Sequence, residues 1–270
     1  MVFMRQLLKM EYYRLFRNRT TYFALAVNFG IVFLQILFES LPYWGTNEII
    51  PVYPLTVFEK WIGGENSSIF STIYFMLCPL ISAVPYGGTL IEDIKTGYIK
   101  NICISQKRYM YFYTKYIVAF STGMFSVLPL ICNFLLTALI FPAMLPQACS
   151  GFYPINAKSM LGDLFYGHPY EYLVLWLLLD IIFYGFLSTL SLTVSFLTNY
   201  CYVAILTPFL VSIVLYGITW ISEYTMIAPF HFLRPSQPYA ANFFSILIEI
   251  LAMIVVGAIY ICMEKKKENY

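Results

Sequence analysis

Apolar residues gather into six long runs along this chain, separated by stretches where charge, proline and glycine concentrate. The runs lie at about residues 20–38, 69–90, 111–141, 170–197, 201–221 and 241–263. Roughly 20 apolar residues in helical conformation cross the hydrocarbon core of a bilayer, so each run predicts a membrane span. Asn28 and Gln35 interrupt the first. Pro79, Pro85 and the pair Gly87-Gly88 predict a second span that is kinked or locally opened towards its end. The third run is longer than a perpendicular crossing needs, which predicts tilt or an extension beyond the bilayer. Pro169 suits the first position of the fourth helix, and Pro208 predicts a kink in the fifth.

The segments between the runs differ in character. At about 100° per residue, Met4, Leu7, Leu8, Tyr12 and Leu15 cluster on one side of a helix, with Arg5, Gln6, Lys9 and Arg17 on another. Residues 1–19 are therefore expected to lie on the inner membrane surface as a basic amphipathic helix, in which Glu11 is misplaced on the apolar side. Residues 39–68 hold Glu39, Glu48, Glu59 and Glu65 against Lys60 alone, an acidic outer loop. Residues 142–168 form a second outer segment with few charges. Residues 222–240 carry three prolines, too broken to span and too apolar for a solvated loop. A re-entrant outer segment before the sixth span is the expectation there.

Charge orients this scheme. Arg5, Lys9, Arg14, Arg17 and Arg19 precede the first span. Lys95, Lys100, Lys107, Arg108 and Lys115 fall between the second and third, and Lys265, Lys266 and Lys267 lie in or beside the basic tail 264–270. Only Lys60, Lys158 and Arg234 fall on the other side. Basic residues collect in cytoplasmic loops, so six spans with both termini cytoplasmic satisfy hydropathy and charge together. Composition agrees: 60% of residues are hydrophobic and 11% charged, against about 25% charged in soluble domains. An all-α polytopic protein of the cell membrane is the expected fold class. No concentrated basic surface for nucleic acid is present.

Catalytic chemistry finds little support. The six cysteines form no CxxC pair, and only Cys149 is expected outside, so neither a disulfide nor a metal site is predicted. No G-x-x-x-x-G-K-[ST] occurs, so the chain has no P-loop of its own. His168 and Glu171 flank a span start, where helix capping explains them better than catalysis. Asp180 and Glu249 fall inside spans, where a carboxylate costs roughly 3 kcal/mol. Each is either a protonated acid bonded to a neighbouring helix or, with Asn28 and Asn133, part of a substrate path.

The stretch Ile91–Tyr116 organises the rest. It places acids, lysines and a glycine between two apolar runs, and a short helix carrying Ile94, Tyr98 and Ile99 among charges has the makings of a docking element. The order Asp93, Gly97, Ile99, followed by Arg108 and Lys115, resembles the cytoplasmic connection of type-2 ATP-binding-cassette (ABC) transporter permeases. The resemblance extends to the basic surface helix, the six spans, the coupling loop after the second and the broken outer segment before the sixth. Tyr98 stands where that family commonly has Thr.

The resemblance implies a membrane subunit paired with a second permease copy or paralogue and with two separate P-loop ATPase subunits. Those partners would bind ATP and magnesium, leaving this chain without a cofactor. In that family the loop between spans two and three enters a groove of the ATPase. Glu92, Asp93, Lys95, Gly97, Tyr98 and Ile99 are then the coupling candidates, and spans one and five line the dimer interface. Aromatic-rich spans with few charges suit export of a hydrophobic or amphipathic cargo, such as an antimicrobial peptide or drug, and lipid-linked glycans stay open. The rival reading is an ATP-independent secondary transporter with Asp180 and Glu249 as proton carriers, although the internal repeats of that class are absent.

The orientation is directly testable. In a chain freed of its native cysteines, Lys100→Cys should react with a membrane-impermeant maleimide only after cells are permeabilised. Labelling of intact cells would invert the scheme.

Overall fold

In a computed structural model, residues 2–44, 55–65, 67–105, 108–147, 154–155, 159–221, 227–239 and 242–266 are described. Glu48, Lys107, Cys149, Lys158, the stretch 222–226 and the tail from Lys267 onward lie outside them. Among the described residues the structure is helical, without strands.

A surface helix α1 (Val2–Arg17) leads through Asn18, whose side chain accepts the Thr20 N–H, into α2 (Arg19–Gln35). That helix widens into a π-turn over Ile36–Ser40 and ends in a 3₁₀ turn at Leu41–Tyr43. A short α3 (Val57–Lys60) precedes α4 (Ile69–Ala83), which Ser68 caps through the Ser71 N–H. Next come α5 (Thr89–Lys95), α6 (Tyr98–Ser105), α7 (Arg108–Phe125) and α8 (Leu128–Thr137). The chain then forms α9 (Gly162–Gly167), α10 (Pro169–Val194), α11 (Cys201–Ile221), α12 (Pro229–Phe232) and α13 (Phe243–Lys266). Pro169 begins α10, as its fixed φ favours.

Five stretches are long and apolar enough to cross a membrane: Arg19–Tyr43, Arg108–Thr137, Pro169–Val194, Cys201–Ile221 and Phe243–Lys265. The second expected span, residues 69–90, differs. Its helix, α4, stops at Ala83 after 15 residues, about 22 Å at helical rise and short of a roughly 30 Å hydrocarbon core. A turn follows, with the Gly87 N–H donating to the Ala83 carbonyl at 2.7 Å. A Cβ on Gly87 would meet the Ser191 hydroxyl at 2.7 Å, so the chain turns while pressed against α10.

Helix α10 is the central post, packing against α4, α7, α11 and α13. Its crossing with α7 is backbone to backbone: a Cβ on Gly123 would sit 2.2 Å from the Tyr184 carbonyl oxygen, and one on Gly185 would strike the Phe120 ring. Small residues permit such approach where no hydrophobic force separates helix from lipid. The Thr122 and Ser188 hydroxyls meet there at 2.9 Å, and Thr122 also reaches the Ser82 carbonyl at 3.2 Å.

The third span is one crossing with a break. Pro129 has no N–H to return to the Phe125 carbonyl, and the Leu130 N–H bonds to Val127 instead of Ser126. The freed Ser126 carbonyl accepts from Asn28 Nδ2 and from the Tyr74 hydroxyl, each at 2.8 Å. At the end of the bundle remote from α1, the segments 55–65 and 227–239 close over the helices. The Val57 N–H donates to Pro142, the Ser236 N–H to Gly63, and buried Arg234 to the Ser71 hydroxyl. The described part of the proline-rich segment, 227–239, is thus largely enclosed by protein.

The tight crossing predicts a contrast. Gly123→Val should lower the thermal midpoint of the detergent-solubilised protein, at a cost of about 1–3 kcal/mol. Gly30→Val, where nothing lies within 4 Å of the new Cβ, should stay within about 0.5 kcal/mol of the parent.

Candidate functional site

Four charges converge where α1, α5 and α7 meet. Glu11 and Arg14 stand three residues apart on one face of α1, in line with Leu7 and Leu15, which are buried. Arg14 grips Asp93 of α5 with both terminal nitrogens, at 2.6 and 3.1 Å, and holds Glu11 at 3.0 Å. From α7, the Lys115 ammonium lies 2.7 Å from Asp93 and 3.3 Å from Glu11, and donates to the Thr89 hydroxyl at 3.0 Å. The Tyr86 hydroxyl donates to Glu11 at 2.6 Å and the Tyr111 hydroxyl to Asp93 at 2.5 Å. Lys115 also sits 4.7 Å from the centre of the Tyr86 ring.

Glu11 and Lys115 are 0% exposed and Asp93 2%, while the Arg14 side chain is 34% exposed. The group is two anions and two cations, neutral as a whole, with one wet edge. Burial by itself would push the Asp93 carboxyl up, but the Arg14 hydrogen bonds, the Lys115 charge and the Tyr111 hydroxyl outweigh it and hold Asp93 below the ordinary carboxylate range. Arg14 shows the converse: burial alone would lower it, yet Asp93 and Glu11 raise it above its ordinary value. Around this polar knot Leu7, Leu15, Tyr86, Leu90, Tyr111 and Phe112 form a separate apolar cluster.

The expected single coupling helix is in fact two, α5 and α6, joined at Thr96-Gly97, where Gly97 takes φ +72°. That left-handed conformation is one a glycine adopts without strain. Of the coupling candidates, Asp93 is buried in the knot and faces inward. Tyr98, Gly97 and Ile99 are half-buried, with the Arg14 guanidinium 4.6 Å above the Tyr98 ring and the Tyr98 hydroxyl 3.3 Å from Met10 Sδ. Glu92, Lys95 and Lys100 are exposed, as are Thr96, Asn101 and, at 85%, Ile104. The outward tip of the hairpin therefore carries Glu92 and Lys95 of the coupling candidates together with Thr96, Lys100, Asn101 and Ile104.

The residues offered as a substrate path do not form one connected group. Asn28 holds the Ser126 carbonyl, and Asn133 is fixed between Gln35 at 2.8 Å and the Ile62 N–H at 2.8 Å. Asp180 is wholly buried within electrostatic reach of Tyr74, Cys78 and Tyr184, and Glu249 lies half-buried on α13. Neither carboxyl has a hydrogen-bond partner among the described residues, so the expected bond to a neighbouring helix is not formed. His168 and Glu171 stand 3.9 Å apart at the surface. No group of His, Cys, Asp and Glu among the described residues could hold a metal.

Sequence reasoning missed Glu11, Arg14, Lys115, Tyr86 and Tyr111 as a unit. The signals were present: an acid at a core position of α1, and a lysine with Val118 and Ala119 just beyond it, each unexplained alone. Compared with protein-family models, curated protein sequences and solved structures, the chain matches none.

Removing one partner of a buried ion group leaves an uncompensated charge. Lys115→Met should lower stability by about 3–5 kcal/mol, read as a fall in thermal midpoint. Lys95→Met on the exposed side of α5 should change it by less than about 0.5 kcal/mol. Because Asp93 is held low, its contribution is complete above the unfolded carboxylate value of about 3.9 and is lost as pH falls through the lower folded value. The midpoint should be flat in this respect from about pH 7 to about pH 5 and drop below about pH 4. Asp93→Asn should lack that portion of the drop.

Proposed function

We propose that this chain is the membrane subunit of an ATP-driven exporter of the ABC type, in which the α5–α6 hairpin receives motion from a separate ATPase. One observation carries the reading: a helical hairpin with an exposed tip lies between two apolar helices and is tied through a buried four-charge knot to both the surface helix α1 and the third span. A force on α5 is then borne by α1 and α7 together. Separating any of the three would leave a buried charge without its partner.

On this reading the chain performs no hydrolysis. It supplies a path and a two-state bundle whose equilibrium the ATPase biases. The outer faces of α2 and α11 carry exposed apolar residues such as Phe23, Phe33, Leu210 and Val214, a surface suited to lipid or to a second permease. A hydrophobic or amphipathic cargo, an antimicrobial peptide or drug-like molecule, remains the proposed substrate class. The unpartnered carboxyls of Asp180 and Glu249 favour one second reading, transport driven by protons instead of ATP.

Co-expression with any P-loop ATPase that a neighbouring gene encodes tests the proposal. The wild type should co-purify with that ATPase and raise its turnover. Ile104→Glu and Lys100→Glu at the hairpin tip should each weaken capture by tenfold or so, about 1.4 kcal/mol, with the thermal midpoint unchanged. Full capture and stimulation in both would refute the docking role. Transport abolished by Asp180→Asn with Glu249→Gln, while no ATPase binds, would favour the proton-driven alternative.

A further inference from the structure

A groove of about 790 Å³ opens outward between α7 and α13, with Phe186 of α10 at its back. The two helices touch along its floor. The Tyr260 hydroxyl donates to the Phe112 carbonyl at 3.1 Å, and the Tyr116 hydroxyl would lie 2.6 Å from a Cβ on Gly257. Beside these contacts lies a slot walled by Phe120, Ile254, Ala258 and Ile261. Its volume falls in the range of about 300–1,000 Å³ that holds a single small molecule.

The slot is apolar along its length and charged at one mouth. Glu264 is buried there and faces Arg108 at 3.9 Å, while Lys265 is exposed beside them and Lys266 and Lys267 follow in the chain. Tyr109 and Tyr113 flank the same mouth, about 55% and 53% exposed, as aromatic residues at headgroup depth do. Two cations face one anion among the described groups, so the mouth favours negative charge. A basic pocket between apolar helices, continued by an aromatic slot, fits a molecule with an anionic head and a hydrocarbon tail.

We infer that this groove binds an anionic phospholipid from the surrounding bilayer, its acyl chain lying between α7 and α13 and its phosphate at Lys265 and Arg108. The inference does not depend on the transport reading. The bound chain would add to the contact between α13 and α7, which along the groove is made by Tyr116, Tyr260 and Phe112, with Glu264 facing Arg108 at the mouth.

Native mass spectrometry of the protein released from nanodiscs of mixed phosphatidylglycerol and phosphatidylcholine tests it. The wild type should retain phosphatidylglycerol in preference to phosphatidylcholine. Lys265→Gln, at an exposed position, should cut that retention about fivefold. Ala258→Trp, which fills the slot from its exposed rim, should abolish it, and glycerol phosphate alone should not compete. Equal retention of the two lipids, or retention unchanged in both variants, would overturn the assignment. So would displacement by glycerol phosphate, which would mean that the head alone is bound. A disulfide-linked dimer formed by Ala258→Cys would place a second copy of the chain in the groove and overturn it as well.

Discussion

Charge buried without a partner is the constraint from which the end of this protein around α1 follows. Lys115 has no access to solvent, and among the described residues its ammonium meets Asp93, Glu11, Thr89 and the faces of the Tyr86 and Tyr111 rings. Asp93 and Thr89 belong to α5 and Glu11 to α1, so the demand of one cation fixes the placement of α1 and α5 against α7. Desolvating four charges is expensive, and such a knot adds little net stability compared with a well-packed apolar substitute. Its contribution is to register: α1 cannot slide or rotate by one residue without breaking several bonds at once. Arg14 closes the group from the partly exposed side, which leaves the arrangement dry at Lys115 and wet at its rim.

Elsewhere the same economy of polar groups holds the helices together. Asn28, Tyr74, Thr122, Ser188, Gln35 and Asn133 each bridge elements that hydrophobic attraction alone would leave free to rotate. Within lipid, helix association relies on close packing and such bonds, because tails of lipid compete equally for apolar side chains. Gly123 and Gly185 supply the packing, and the hydroxyls beside them supply the bonds.

Much of the architecture could be read from hydropathy. The apolar runs beginning near residues 20, 111, 170, 201 and 241 correspond to helices long and apolar enough to cross a membrane, because a long unbroken apolar segment has few other stable fates. The second run reaches further than its helix: α4 ends at Ala83, ahead of Pro85 and of Gly87, which lies against Ser191 of α10. The knot was illegible for a different reason. Glu11, Asp93 and Lys115 lie far apart in sequence, and local pattern assigns each a separate, ordinary role: a blemish on a surface helix, a docking acid, a loop cation. Only the tertiary fold makes them answer one another. Asn28 illustrates the same limit, as its partner is the Ser126 carbonyl, 98 positions later, left free where the Leu130 N–H turns to Val127.

That carbonyl, on Ser126, carries a further implication. An oxygen has two lone pairs, and here one is held from α2 and the other from α4. The angle between the two halves of the third crossing is accordingly not a private property of that helix. It is set jointly by two neighbours, and a relative shift between those neighbours must be felt as a change of bend, because the oxygen cannot follow both at once.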